Sequence, residues 1–256
     1  MNAPSSNADS AALREYLLAF ADDEHLMGQQ HTEWIGVAPF LEEDLAFSSI
    51  GQDELGHAVL LYELVCELDG VDPTDAAIDD LAYGRGVDEY RSAAFTEYVT
   101  TDWAEALIRH WIYDLVEHER WQLVAASTHR GLADAAVRAS REETYHRRHA
   151  QALLESLIDT PARVELERGL SVIWPLVGSL LASVAGEDEL ISDGIVRAGL
   201  SSVNDSVIEQ VQAMFGDVEF VADLGSKVGR TERSAFFAPL MRRMREVLDL
   251  DPEAVW

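Results

Sequence analysis

Two short segments of the chain share one arrangement: Glu54-Leu-Gly-His57 and Glu143-Thr-Tyr-His146. On a helix, residues three apart lie on one face with their Cβ atoms about 5–6 Å apart. A carboxylate and an imidazole so placed can hold one metal ion between them. A single pair arises readily by chance on a charged helical surface, whereas two pairs on separate long helices are far more specific. Helical bundles that hold two Fe ions use two such motifs plus one carboxylate from each of two further helices. The carboxylates bridge and neutralise hard cations, and each histidine fixes one nitrogen. The spacing therefore points to a carboxylate-bridged di-iron site with Glu54, His57, Glu143 and His146 among its ligands.

The remaining two carboxylates must come from a first and a third helix. On the first, Asp22, Asp23 and Glu24 stand between apolar Leu18, Phe20, Leu26 and Met27. An acid among core positions must be paired, metal-bound or on an exposed face, and the pattern leaves all three acids open. On the third, Asp114 sits in the apolar run from Trp111 to Val116 with no basic neighbour on its face. The competing reading exposes Asp114, with Glu117 and Glu119 on the same stripe.

The elements that must position these residues are helices. Residues 1–9 read as a disordered leader. A first helix follows from about Leu13 to Trp34, then Pro39 stands near the start of a second, about Leu41 to Leu68. An acidic, glycine-containing connector runs from Asp69 to about Asp88. The third helix spans roughly Tyr90 to Thr128 with a break near Asp102, and the fourth about Leu132 to Ile158. Thr160-Pro161 opens a fifth, which carries a kink at Trp174-Pro175. Two or three shorter helices are expected beyond Gly186, the last near Thr231 to Leu248. The fold class is all-α: a four-helix bundle with additional C-terminal helices, one domain over 10–256 with its extension from about 161.

Composition narrows the function further. The formal charge is −28, from 19 basic and 47 acidic residues, and Lys227 is the only lysine. Such a chain repels phosphate backbones, so nucleic acid is excluded as a partner. Acids spread along the whole chain suit a halophilic protein, because molar salt screens self-repulsion to a Debye length of about 3 Å. No apolar run approaches the roughly 20 residues that cross a bilayer, so no membrane partner is expected. The N-terminal segment lacks the pattern of a secretion signal, which indicates a cytoplasmic location. The single cysteine, Cys66, rules out an internal disulfide and a thiolate metal cage.

Other candidates have plainer readings. His25, His31, His110, His118, His129 and His149 lack a carboxylate at matching spacing and read as surface or satisfied, partly buried residues. Glu42, Glu43 and Asp44 suit the N-terminal end of a helix dipole. Arg141, Arg147 and Arg148 with His149 could hold the phosphates of a coenzyme A ester, but pairing with the abundant acids is the favoured reading. Trp103, Trp111, Trp121 and Trp174 read as core fillers.

The segment Glu33-Trp-Ile-Gly-Val-Ala-Pro-Phe-Leu-Glu-Glu-Asp-Leu-Ala46 resembles the phenylacetyl-CoA epoxidase subunit family, particularly its C-type subunit. The tail resembles that C-terminus too: Gly229-Arg-Thr-Glu-Arg-Ser-Ala-Phe236, then Met241 to Val247 and Trp256. The resemblance implies a ferritin-like bundle and a subunit of a multicomponent ring-epoxidising monooxygenase. C-type subunits have lost most iron ligands. Here, however, Asp53-Glu54-Leu-Gly-His57 and Glu142-Glu143-Thr-Tyr-His146 look like the catalytic A-type motifs. Glu24 falls where the A-type has its first-helix glutamate, and Trp103-Ala-Glu105 through Asp114 resembles its third helix. The implied ligand set is Glu24, Glu54, His57, Asp114, Glu143 and His146, holding two Fe ions on a C-type framework. Electrons would come from a separate reductase, the substrate would be phenylacetyl-CoA, and the partner would be an A-type subunit in a hetero-oligomer. A non-catalytic scaffold subunit is the alternative. A ferroxidase is disfavoured by the long extension.

Overall fold

The computed structural model of the chain describes residues 7–216, 218, 221, 224 and 229–251. Helix α1 (Asn7–Thr32) runs along α2 (Leu41–Asp69), and after short helices α3 (Asp75–Asp79) and α4 (Ala94–Glu97) come α5 (Trp103–Val124) and α6 (Arg130–Ile158). These four long helices make the ferritin-like bundle, with α5 along α6 and α6 also against α2. Helix α7 (Arg163–Leu180) covers α5. Helices α8 (Glu187–Ser192), α9 (Asn204–Phe215), α10 (Phe237–Met244) and α11 (Glu246–Leu250) complete an all-α chain with no strand among the described residues. No helix among them is long and apolar enough to cross a membrane.

Local chemistry explains the boundaries. Gly70, with φ 69°, ends α2, and Val71 donates its N–H back to the Cys66 carbonyl, a left-handed cap that suits glycine. The expected break near Asp102 is a true helix start, where its carboxylate accepts from Glu105 N–H. Pro175 lies inside α7 as expected. The leader assigned to residues 1–9 needs correction, because α1 already begins at Asn7; residues 1–6 lie outside the described residues, as does Trp256.

The apolar core runs unbroken from α1 to α9, with Trp111, Trp121 and Trp174 fully buried. Two glycines bring α1 and α2 together beside the candidate ligands. A Cβ on Gly28 would stand 2.8 Å from Leu55 Cγ and 2.9 Å from the Gly51 carbonyl; one on Gly51 would stand 3.0 Å from the Gly28 carbonyl. Any side chain there would push the two helices apart.

Charged residues also enter this core. Asp23 accepts from Ala93 N–H at 2.8 Å, from Arg120 at 2.9 Å and from Arg230 at 2.7 Å. Asp22 accepts from Tyr62 Oη at 2.8 Å and from Arg91 N–H at 2.6 Å, with Arg85 beside it. Arg230 and Arg233 reach inward from the C-terminal segment, the latter onto Glu97 at 2.7 Å. Breaking a buried pair of this kind costs about 3–5 kcal/mol, because the remaining charge is left uncompensated. These pairs tie the C-terminal segment to α1 beside Glu24.

Candidate metal centre

The three consecutive acids of α1 differ in what they touch. Asp22 and Asp23 are satisfied by the donors just described. Both oxygens of Glu24 are buried without a hydrogen-bond partner. The same holds for both oxygens of Asp114 and of Glu143, for Glu54 Oε1, and for the Nδ1 atoms of His57 and His146. All six residues are 0% exposed. The reading that exposes Asp114 is thereby removed. Leaving such groups bare costs about 1–3 kcal/mol each and more for charges, so the donor set fits hard cations bound among them.

Four helices aim these groups at one place. The ligand atoms fall into overlapping trios, each with its atoms within 4.8 Å of one another: Glu24, His57 and Glu117; Asp114, Glu143 and His146; Glu54, Asp114 and Glu117. The third trio shares Glu117 with the first and Asp114 with the second, an arrangement that would suit two neighbouring cations. His57 Nδ1 lies 3.5 Å from Glu24 and 3.4 Å from Glu117, and His146 Nδ1 lies 3.0 Å from Glu143.

Both imidazoles turn Nδ1 inward and hold Nε2 against an acid of the other motif. His57 Nε2 meets Glu142 Oε2 at 2.7 Å, and His146 Nε2 meets Asp53 Oδ2 at 3.2 Å. Each of these acids immediately precedes a ligand glutamate, so α2 and α6 brace each other's histidines. Such partners fix ring orientation and raise the basicity of the inward nitrogen.

Protons balance the charge of this cluster when no cation is bound. Burial pushes Glu24 and Glu54 well above the usual carboxylate range, with the charge of Glu117 adding to it, and burial also raises Asp114. Burial and Glu117 take Glu143 to about 7. Burial opposes the charge of Glu117 as well, yet the His57 imidazole beside it brings that carboxyl down to about 2. Burial likewise disfavours the imidazolium forms, but Glu117, Glu142 and Glu24 lift His57, and Glu143 with Asp53 lifts His146.

The family described as phenylacetic acid catabolic protein matches residues 1–256. The chain belongs to that family. It is also 26% identical over 186 residues to the C subunit of 1,2-phenylacetyl-CoA epoxidase from Escherichia coli (strain K12), covering 72% of this chain and 73% of that protein.

Around the cluster, the chain departs from several sequence expectations. Glu117 is a fully buried seventh candidate ligand rather than part of an exposed stripe. Its position three residues after Asp114 is the available signal, and that spacing fits either reading. His31 and His110 are not surface residues: they are 1% and 0% exposed, with His31 Nδ1 2.6 Å from Glu54 Oε2 and His110 Nδ1 3.2 Å from Asp114. Glu43 is buried and pairs with His149 at 3.3 Å, while Asp44 accepts from the N–H groups of Gly36 and Ala38.

In the basic cluster of α6, His149 pairs with an acid as expected, whereas the three arginines do not. Among the described residues, Arg147 donates to Gln210 at 3.2 Å, and no carboxylate lies within 4.0 Å of Arg141, Arg147 or Arg148. Arg147 and Arg148 open onto a groove of about 650 Å³ between α5, α6 and α9, with Leu115, Gln151 and Met214 in its walls. Leu115 and Arg147, two of its lining residues, directly follow Asp114 and His146, so this groove adjoins the candidate ligands.

Proposed function

We propose that the chain is a subunit of a multicomponent phenylacetyl-CoA epoxidase and that Glu24, Glu54, His57, Asp114, Glu143 and His146 hold its di-iron centre, with Glu117 as a further ligand. The observation that carries this reading is the set of buried oxygens and nitrogens on four helices that lack any partner of their own. A di-iron centre supplies dioxygen activation and transfer of one oxygen atom to an aromatic ring, with electrons from a separate reductase.

The chain's own residues have distinct tasks in this scheme. Asp53 and Glu142 hold the histidine rings with Nδ1 inward. Trp121, packed on His57 with ring centroids 5.4 Å apart, keeps water from that side. Arg147 and Arg148 are placed to receive the phosphates of the coenzyme A ester, since guanidinium forks match phosphate oxygens. An A-type subunit is the proposed partner in a hetero-oligomer.

The test is turnover of phenylacetyl-CoA by this chain, its A-type partner and a reductase together. Glu143→Ala in this chain alone should reduce turnover to background while the complex stays intact by size-exclusion chromatography. Arg147→Ala with Arg148→Ala should raise KM more than it lowers kcat, because uniform binding is what it removes. Full activity of the Glu143→Ala complex would make this chain a scaffold.

The surface charge supports a cytoplasm of concentrated salt as the working environment. Self-repulsion from −28 of net charge weakens as the Debye length shortens. The thermal midpoint should therefore climb steeply between low and molar KCl, and a flat dependence would remove the halophilic reading.

A further inference from the structure

One buried cluster is left over from the proposed di-iron set. Ligand atoms of His31 on α1, Glu54 on α2 and His110 on α5 lie within 4.8 Å of one another, and all three side chains are fully buried. His31 stands seven residues after Glu24, and His110 stands four before Asp114 and seven before Glu117. The two histidines therefore extend the ligand stripes of α1 and α5 by about one or two helical turns. His31 Nε2 and both ring nitrogens of His110 have no hydrogen-bond partner, and neither does Glu54 Oε1. The rings meet edge to face at 4.9 Å, with Phe47 packed on both.

If His31 served only to orient Glu54, its Nδ1 contact of 2.6 Å would suffice. That role gives His110 nothing to do and leaves three imidazole nitrogens bare in the core. Both rings are buried, and the Nε2 atom of each is left without a partner, so each has a nitrogen to offer a cation. Asp114, with Oδ1 3.2 Å from His110 Nδ1, supplies a second carboxylate.

We propose that His31, His110 and Glu54, with Asp114 beside them, form a third cation position at the end of the dinuclear cluster, selective for zinc-class divalent ions. Two imidazoles with one or two carboxylates suit tetrahedral zinc, with bonds of about 2.0–2.2 Å. Zinc also binds nitrogen-rich sites more tightly than iron(II) does. The position shares Glu54 and Asp114 with the proposed di-iron centre but needs none of its histidines.

The test counts metal on the purified full chain. Metal-free protein titrated with Zn(II) alone should take up about three ions, two in the dinuclear cluster and one at the new position, and His110→Gln or His31→Gln about two. Co(II) should give intense tetrahedral absorption bands in wild type that survive Glu143→Ala and vanish in His110→Gln. Circular dichroism establishes that each variant is folded, and the wild-type cobalt spectrum tests the site without any variant. Two zinc ions in both wild type and His110→Gln overturn the proposal. Two in wild type and one in His110→Gln overturn it too, by placing His110 in the dinuclear pair. Stoichiometric iron with a zinc count indifferent to His110 sinks this inference and spares the di-iron reading. A zinc ion lost with His110 in a chain that binds no iron does the reverse.

Discussion

Reconstituted anaerobically with Fe(II), the chain should hold about two irons, and Glu54→Ala should leave fewer than about one. Glu54 has this leverage because of where it stands. Its carboxylate lies in the trio that joins the other two, so its removal weakens both positions at once. His57→Ala acts on one trio only and should remove about one iron. The same substitution at Glu42, an exposed acid at the start of α2, should leave the count unchanged. Asp53→Ala and Glu142→Ala fall between these cases. Each frees the outer nitrogen of one histidine, and loss of such a support weakens metal binding about 10–100-fold without deleting a ligand. Wild-type protein that binds no stoichiometric iron would refute the di-iron reading altogether.

The bundle and four of the ligands are legible in the sequence because both depend on helical periodicity. Glu54 with His57 and Glu143 with His146 repeat one spacing inside long apolar-patterned helices. The same pattern places α2 and α6 within a residue or two of their observed ends. Legibility stops where the deciding fact lies across helices. Nothing local separates Glu24 from Asp22 and Asp23; what separates them is that Arg120 and Arg230 reach Asp23 while Tyr62 and Arg85 reach Asp22. Arg230 is far away in sequence, so its pairing is invisible along the chain. Glu117 escapes for the opposite reason. A glutamate three residues from a candidate ligand reads equally well as a solvated stripe or a second ligand, and only the burial of α5 on both sides decides. His31 escapes because its partner Glu54 is set by the close approach at Gly28 and Gly51, and His110 because its spacing of four from Asp114 reads equally well as a solvated pair. Sequence alone gives that approach no signal beyond the absence of a side chain.

Metal-free protein should lose stability as pH rises from about 6.5 to 8, a trend that metal should reverse. A carboxyl group whose folded value is raised still holds its proton in the native state at pH values where the unfolded chain has released it. The native state then binds more protons, so stability falls with rising pH. Glu143 moves from an ordinary 4.5 to about 7, so its effect opens near pH 4.5 and is complete just above 7. Its share is about 3 kcal/mol, from the free energy of about 1.4 kcal/mol per pH unit. Glu24, Glu54 and Asp114 are raised as well and act in the same sense. The raised imidazoles of His57 and His146 contribute stability that is whole below 6.5 and lost as pH climbs through their folded values. Glu117, at about 2, has the opposite sign, but its contribution is already constant above pH 5; the imidazoles of His25, His31 and His110, lowered by burial, oppose the decline below about 6.5 and no longer do so above it. Cations bound in the cluster displace these protons, so metal uptake releases them and grows tighter as pH rises. The stabilisation that metal provides should accordingly be largest near pH 8. Thermal midpoints of metal-free and loaded protein, compared at pH 5, 6, 7 and 8, measure both slopes. Glu143→Gln should shift the metal-free slope between about pH 5 and 7 towards rising stability, because the amide has no proton to lose in that range. An unchanged slope in that variant would show that Glu143 is not the group holding the proton, and that the charge of the empty cluster is balanced elsewhere.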